Sequence, residues 1–290
     1  MTELRRVRVA LDGTVHTGRR EGDQIVLDDG RTIDESAAVY LAPVQPSKIV
    51  AVHLTYRSRI DEYRAKVPPE PSYFMKPPTA LNGHRRAINR PHGAKFLNYE
   101  GELAVVIGER MKGVSVDRAL DHVAGYLAAN DVGLHDFRHA DRGAMFRVKG
   151  QDGFLPLSPE IVPAAEFDPT DFTLTTTLNG EVVQQATADD LIWSVAYQLA
   201  DICRLITLEP GDVVLSGTPA NSRPMEPGDR VAVEVRSRDV SARVENEVVD
   251  WDVDLSAAGE QMQTSANTLH VALAIPEEEA ERIVNEQESQ

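Results

Sequence analysis

The chain has 290 residues, of which 42% are hydrophobic and 26% are charged, so it can bury a substantial core and has an ordinary globular composition. Its formal net charge of -16 argues against nucleic acid or an anionic membrane as a partner, because both bind basic surfaces. The sequence contains no apolar run of the roughly 18 residues that a membrane span needs, and no signal-peptide pattern. The lone Cys203 excludes an internal disulfide, so we expect a cytoplasmic protein.

Residues 1–45 are predicted to form a small N-terminal β domain. Short apolar segments alternate there with Gly and Asp-Gly turn signals, and Asp29-Gly30 is a candidate tight hairpin. Pro43 and Pro46 mark a linker, after which SKIVAVHLTY predicts a buried strand.

Residues 47–255 are predicted to form the main domain, with many strands and few helices, which indicates a β-rich α+β fold. One helix is predicted to begin after Ser115 and to lead into a strand that ends near Asn130. A second helix is predicted between Thr187, as its N-cap, and Ile206, from apolar residues at helical spacing. Cys203 lies in this pattern and is interpreted as a packed core residue.

Two further signals concern turns and the C-terminal extension. Asn179-Gly180 within DFTLTTTLNGEVVQQ predicts a hairpin. In the acidic extension, residues 256–290, LHVALAI is predicted as a strand and PEEEAERIV as a short helix with Pro276 in its first turn. The extension is interpreted either as an arm that packs against another subunit or as a frayed end.

Three acidic residues form the strongest candidate for chemistry. Glu100 and Glu102 in YEGELAVVIGER lie on one face of a predicted buried strand, and Asp131 ends another apolar run. Carboxylates are costly to bury unless they are neutralised, and a divalent cation would do so. Three oxygen ligands leave about half of an octahedral shell open, which suits Mg²⁺ or Mn²⁺. The alternative is that the glutamates lie on a solvated edge and Asp131 caps a turn.

The surrounding segments decide between these interpretations. Seven of them, in order, resemble the fumarylacetoacetate hydrolase family over roughly residues 47–250. These segments are VHLTYRSRIDEY, YFMKPPTAL, NYEGELAVVIGER, AGYLAANDVGLHD, VKGQDGFLPLSP, LEPGDVVLSGTPA and MEPGDRVAVEV.

The resemblance implies a fold, an assembly and several residue roles. It implies the family's β-rich roll, assembled as a homodimer, in which Glu100, Glu102 and Asp131 are the metal ligands. It implies that Lys149 positions substrate or a reactive water and that Thr218 contacts the substrate's carboxylate. Members of the family hydrolyse C–C bonds, decarboxylate, or interconvert enols and ketones.

A small anionic 2-oxo or dienoic acid would need basic neighbours, because three carboxylates and one dication sum to minus one. The candidates near matched segments are Lys149, Arg57, Arg59, Lys76 and His135. His135 would bind a carboxylate only when protonated, so its contribution would depend on pH. His53 and Tyr56 are further candidates for substrate binding. The alternative for His53 is a core residue, and the position in the cleft is favoured.

Arg59 is the main departure from the family pattern. The hydrolase and decarboxylase branches typically have a histidine there and a glutamate three residues later, which together activate water. Glu62 matches, but arginine is always protonated and cannot act as a general base. The stretch YRSRID is more similar to the isomerases and decarboxylases that act on 2-hydroxyhepta-2,4-diene-1,7-dioate and 5-oxopent-3-ene-1,2,5-tricarboxylate. There Arg59 would bind a second carboxylate, and Glu62 or a water held by Lys149 would carry the proton.

The leading prediction is therefore a metal-dependent enzyme that isomerises or decarboxylates an enolisable 2-oxo or 2-hydroxydienoic diacid through an enolate. One alternative is a C–C hydrolase of acylpyruvate-like β-diketones. Another, from a different class, is a metal-binding member of the family that has no turnover.

Overall fold

The computed structural model describes residues 4–253 and 255–288, which contain twenty strands and six α-helices. The strands are β1 Val7–Leu11, β2 Thr14–Glu21, β3 Gln24–Leu27, β4 Thr32–Asp34, β5 Val39–Leu41, β6 Ile49–His53, β7 Ser72–Lys76, β8 Leu81–Asn82, β9 Ile88–Pro91, β10 Leu97–Asn98, β11 Gly101–Ile107, β12 Val123–Asn130, β13 Gly133–Leu134, β14 Leu155–Pro156, β15 Val162–Pro163, β16 Thr173–Leu178, β17 Glu181–Thr187, β18 Val213–Leu215, β19 Arg230–Ser237 and β20 Val240–Trp251. The helices are α1 Arg57–Glu62, α2 Arg138–Asp141, α3 Phe146–Lys149, α4 Val195–Leu205, α5 Ala266–Leu273 and α6 Glu277–Glu288. This preponderance of strands confirms the predicted β-rich α+β class.

Residues 7–41 form a sheet of their own. Its strand order is β4-β3-β2-β1-β5, and every neighbouring pair is antiparallel. The Asp29-Gly30 turn joins β3 to β4, as predicted, and Gly30 has a φ of +86°, which glycine adopts without strain. Val7, Val9 and Tyr40 are among the residues of a separate apolar cluster beneath this sheet. The division of the chain near residue 45 stays a prediction.

Two larger sheets pack face to face and enclose the main core. One has the order β15-β12-β11-β18-β6-β7, and the other has the order β17-β16-β19-β20-β9. Alternate residues of β11 point to opposite faces, so Leu103 and Val105 enter the core between the sheets. Ala104 and Val106 join a second apolar cluster, which covers the other face. Helix α4 completes the first core, where Cys203 is buried as predicted.

Two predicted helix starts are wrong. The segment after Ser115 is a 3-10 helix, Val116–His122, although the strand that follows it does end at Asn130. Thr187 precedes only a short 3-10 turn, and α4 begins at Val195, after Ser194. The Ser194 hydroxyl accepts the N–H of Tyr197 at 3.3 Å, a bond that satisfies one of the unpaired donors of the first helical turn. The hairpin at Asn179-Gly180 is confirmed between β16 and β17.

The structure of the C-terminal extension differs in part from the predicted one. LHVALAI lies mostly in helix α5 rather than in a strand, because Ser265 caps that helix and Leu269 and Ala272 bury one face against Phe96. The predicted helix after Pro276 is confirmed as α6. The extension is therefore not a frayed end over these residues, since it packs against its own chain. Its packing against another subunit, and the homodimer, stay predictions.

No helix in the described ranges is both long enough and apolar enough to cross a membrane.

Candidate metal centre and substrate cavity

Strand pairing brings the three predicted acidic residues together. Strands β11 and β12 pair antiparallel, with Gly101 opposite Asn130, so Glu100 and Asp131 meet where the two strands end. The Asp131 N–H donates to the Glu100 carbonyl at 2.8 Å, and Glu102 lies two residues along β11. One oxygen from each of the three carboxylates lies within 4.8 Å of the others, and all three residues are buried. This geometry excludes the alternative of glutamates on a solvated edge.

Two buried lysines contact the cluster. The Lys149 ammonium group donates to Glu100 Oε2 at 2.7 Å and lies 3.1 Å from Asp131 Oδ2. The Lys76 ammonium group donates to Asp131 Oδ1 at 2.5 Å. Gly133 leaves room for Lys149, because a Cβ at that position would lie 3.1 Å from Lys149 Cε and 3.2 Å from its Nζ. Lys149 and Lys76 thus neutralise Glu100 and Asp131 more directly than Glu102.

The pKa values follow from this unequal distribution of charge. Burial would raise the pKa of Glu100, but the nearby Lys149 and Arg59 hold it below its usual value. Burial, reinforced by Asp131 and Glu100, raises the pKa of Glu102 well above its usual value. Burial lowers the pKa of Lys76, whereas Asp131 and Glu100 raise that of Lys149 despite burial. Glu102 is therefore the carboxylate for which the protein itself supplies too little positive charge.

The segment after β18 closes the cluster from the other side. The Gly217 N–H donates to Glu102 Oε2 at 2.7 Å, and the Gln184 amide donates to the Thr218 hydroxyl oxygen at 3.1 Å. Gly217 has a φ of +96°, and a Cβ there would lie 2.1 Å from Thr55 Oγ1, so only glycine fits. The strand-end segment thereby fixes Thr218 beside the acidic cluster.

Arg59 and Glu62 form a pair on α1. Arg59 Nη1 donates to Glu62 Oε2 at 2.7 Å, and its Nη2 lies 3.6 Å from Glu100 Oε1. The Arg59 guanidinium also lies over the Tyr63 ring, 4.4 Å from its centroid. Glu62 additionally accepts Arg223 Nη2 at 2.7 Å and the Asn221 N–H at 3.2 Å. Glu62 is therefore held between two guanidinium groups.

A cavity of about 580 Å³ opens beside these groups, within the size range of small-molecule sites. The predicted residues that line it are Glu100, Glu102, Asp131, Lys149, Thr218, Arg59, His53 and His135. The cavity lining does not include Glu62, Tyr56, Arg57 or Lys76. Tyr56 is fully buried, Arg57 is exposed on α1, and Lys76 donates to Asp131. A role of these three residues in substrate binding stays a prediction.

The two histidines in the cavity are held neutral. Burial, followed by the charge of Arg138, lowers the pKa of His53 to about 4. Burial and the charges of Arg138, Lys149 and Arg59 place the pKa of His135 well below its usual value. His135 thus presents a neutral imidazole at pH 7 rather than the cation that carboxylate binding would require. Neither of its ring nitrogens has a hydrogen-bond partner in the part of the chain that the structure describes.

Sequence reasoning missed several residues of the cavity wall. Arg138, Tyr63 and Met145 contribute from the segments around α1–α3. The C-terminal extension contributes Asn267, His270, Val271, Pro276, Glu277 and Glu278. Arg138 follows Asp131 by seven residues in DVGLHDFR and lies two residues beyond the matched segment AGYLAANDVGLHD, so its charge next to that segment was the available signal. No comparable signal marked the extension, because its position depends on long-range packing.

Comparison with known proteins identifies relatives of this chain. The 4-hydroxyphenylacetate degradation bifunctional isomerase/decarboxylase of Escherichia coli is 38% identical over 208 residues, which cover 71% of this chain and 48% of that protein. This chain thus spans about half the length of that relative.

Solved structures extend the similarity to most of the chain. The 5-carboxymethyl-2-hydroxymuconate delta-isomerase from Mycobacterium smegmatis is 34% identical, with a TM-score of 0.74, covering 86% of this chain and 100% of that chain. The 2-hydroxyhepta-2,4-diene-1,7-dioate isomerase from Mycobacterium marinum is 33% identical, with a TM-score of 0.72, covering 85% and 98%. Residues 48–249 match the family described as fumarylacetoacetate (FAA) hydrolase C-terminal. The chain therefore belongs to the fumarylacetoacetate hydrolase family of enzymes, as its seven sequence segments predicted.

Proposed function

We propose that this protein is a divalent-metal-dependent enzyme that isomerises or decarboxylates an enolisable 2-oxo or 2-hydroxydienoic diacid. The observation that carries the proposal is the buried group Glu100, Glu102 and Asp131 in the wall of a cavity that also contains Lys149 and three arginines. The relatives named above as isomerases or as an isomerase/decarboxylase support the same reaction class.

The three carboxylates fit a hard divalent cation. They offer oxygen ligands only, and the raised pKa of Glu102 reflects a shortage of positive charge at that carboxylate. Mg²⁺ or Mn²⁺ held by Glu100, Glu102 and Asp131 would supply the positive charge that polarises a carbonyl and stabilises an enolate. The described contacts do not discriminate between the two ions.

Thr218 is suited to bind the substrate's carboxylate. Gln184 donates to the Thr218 oxygen, so the hydroxyl hydrogen of Thr218 is free to be donated in turn. Lys149 stays charged between Glu100 and Asp131, because their charges outweigh its burial. In this proposal Lys149 positions the acidic ligands and contributes charge at the cavity wall, while Thr218 orients the substrate.

Proton transfer between enol and ketone needs a group that can accept and return a proton near pH 7. His135 and His53 both line the cavity with neutral imidazoles. Glu62, the carrier expected from the sequence, lies outside the cavity wall and is held by Arg59 and Arg223. The lowered pKa values of both histidines make them poor bases near pH 7. We therefore assign the transfer to a water held by Lys149, the other carrier expected from the sequence. Arg59 cannot act as a base, which disfavours the water-driven cleavage of the hydrolase alternative.

The direct test supplies the purified protein and Mg²⁺ or Mn²⁺ with oxaloacetate, an acylpyruvate and 2-hydroxyhepta-2,4-diene-1,7-dioate. Ultraviolet spectra, evolved CO₂ and acid products are followed for each compound. A shift in the dienoate spectrum without loss of carbon, or CO₂ from oxaloacetate, is the expected result, and the Asp131→Asn variant should abolish it.

The other outcomes separate the alternatives. Two acid products from the acylpyruvate would favour the C–C hydrolase. No reaction with any of the three compounds, while the ion still binds by calorimetry, would favour a metal-binding family member that has no turnover.

A further inference from the structure

Arg138 is a partly buried cation without an ion-pair partner. It lies on α2, lines the cavity, and burial lowers the pKa of its guanidinium, which nevertheless stays charged. Within residues 4–253 and 255–288, no carboxylate oxygen approaches its nitrogens within 4.0 Å. Glu100 and Asp141 act on it only from beyond that distance. A charge that is partly removed from water and has no ion pair is unfavourable, so this position suits a ligand that brings a negative charge.

Arg59, by contrast, already has its anionic partners. Its Nη1 donates to Glu62 at 2.7 Å, its Nη2 lies 3.6 Å from Glu100, and the Tyr63 ring lies beneath its guanidinium. A substrate carboxylate would have to compete with these groups. Three arginines line the cavity wall, and the third, Arg64, is exposed to solvent there. Arg138 is therefore the partly buried arginine that is available to an incoming anion.

A residue of the C-terminal extension fixes the orientation of Arg138. Arg138 Nε donates to Asn267 Oδ1 at 3.1 Å. Because Asn267 accepts at Nε, the Nη groups are left to donate, and the contact described for them is with Met145 Sδ at 3.8 Å. Asn267 lies in α5, beyond the residues 48–249 that match the family. The extension thus adds a polar contact to a charged side chain of the family domain.

Contacts with the family domain hold helix α5 next to Arg138. Tyr63 donates its hydroxyl to the Val271 carbonyl at 3.1 Å, and Asn98 donates its amide to the Ala272 carbonyl at 2.9 Å. Leu269 and Ala272 are buried against Phe96. These contacts hold Asn267 within reach of Arg138 independently of any ligand.

We propose that Arg138, oriented by Asn267, is the receptor for the second carboxylate of the substrate. This inference rests on the proposed function and narrows it to diacids whose first carboxylate lies at the acidic cluster and whose second reaches α2. Glu277 and Glu278 are exposed where the extension borders the cavity, so they disfavour a further negative charge beyond that point.

The test is calorimetric and does not need turnover. The Mn²⁺-loaded full-length protein is titrated with oxalate, which tests the metal-binding side alone. It is then titrated with 2-oxo diacids of five to seven carbons and with the 2-oxo monoacids of equal length. The parent should bind the best diacid at least about tenfold more tightly than its monoacid, as a charge-assisted pair allows.

Arg138→Gln should remove the preference for diacids and leave oxalate binding unchanged. Arg138→Lys should keep part of the preference, because lysine retains the positive charge but cannot donate two parallel hydrogen bonds to a carboxylate. Asn267→Ala should reduce the preference about threefold by loosening Arg138. Gln263→Ala, an exposed position just before α5 and outside the cavity wall, is the matched control and should change nothing.

The calorimetric test distinguishes a failure of the Arg138 assignment from a failure of the proposed function. A parent that binds oxalate but shows no diacid preference, or an Arg138→Gln variant that keeps the preference, would overturn the assignment of Arg138 alone. A parent that binds Mn²⁺ but not oxalate would overturn the proposed function and this inference together.

Discussion

The two sides of the cavity are constructed differently. On the acidic side, Glu102 and Asp131 are fixed by the backbone pairing of β11 with β12, which are buried throughout or nearly so. On the helical side, Arg59, Arg138 and Asn267 come from helices of six, four and eight residues, joined by side-chain contacts. Sheet hydrogen bonds fix the distances between the carboxylates of the acidic cluster. Residues on the short helices of the opposite wall can be substituted without disturbing that sheet. We infer that the first side provides the chemistry and the second selects the substrate.

The largest expected effect tests the acidic side. Lys76→Met removes a buried ammonium group that donates to Asp131 Oδ1, and leaves that carboxylate with Lys149 as its neighbouring cation. We expect the free energy of unfolding of the metal-free protein to fall by about 3 kcal/mol, as for a broken buried ion pair. Urea unfolding measures it, and Lys66→Met, at an exposed position, is the control.

Added Mn²⁺ should restore more stability to Lys76→Met than to the parent, because the ion would replace the lost positive charge. Equal stability of this variant and the parent without metal would contradict the account of the acidic side.

A smaller effect of opposite sign is expected at Glu102. Burial and the charges of Asp131 and Glu100 raise its pKa, so the folded protein retains a proton there that the unfolded chain loses near its ordinary pKa. The stability that Glu102 contributes is therefore complete below that ordinary pKa and is lost as pH rises towards the folded value. Glu102→Gln keeps an acceptor for the Gly217 N–H but removes the charge.

We therefore expect the Tm of metal-free Glu102→Gln to exceed that of the parent by roughly 2–4 °C at pH 8, and by less at pH 5. Glu109→Gln, at an exposed position just after β11, should show no such trend. A Tm difference that shrinks as pH rises would show that Glu102 is not the destabilised carboxylate.

The smallest effect concerns the helical side. Tyr63→Phe removes only the hydroxyl that donates to the Val271 carbonyl, and keeps the ring beneath Arg59. One such bond contributes about 1 kcal/mol, so the amides of α5 should exchange with solvent roughly fivefold faster. Amides of β11 should be unaffected. Equal acceleration in both regions would mean that the two sides do not behave independently.

The acidic side could be predicted from the sequence because its evidence is local. Alternation along YEGELAVVIGER places Glu100 and Glu102 on one face, and the apolar run that ends at Asp131 indicated the third acidic residue. Turn chemistry likewise predicted the Asn179-Gly180 hairpin, which depends on adjacent residues only.

The helical side could not be predicted in the same way. The apolar residues of LHVALAI fit a strand or a helix equally well, and contact with Phe96, some 170 positions earlier, decides for the helix. Asn267 meets Arg138 only because of that packing. The predicted start of α4 was wrong for a related reason. Thr187 and Ser194 are both acceptable N-caps, and the tertiary structure selects Ser194.

The central claim is tested most directly by counting the Mn²⁺ ions that each chain holds, from the loss of the free-ion signal in electron paramagnetic resonance. Parent and Asp131→Asn protein are compared at equal concentration. We predict one tightly held ion per parent chain and an affinity at least about a hundredfold lower in the variant. Equal retention by both proteins, or no retention by the parent, would contradict the assignment of Glu100, Glu102 and Asp131 as the metal centre.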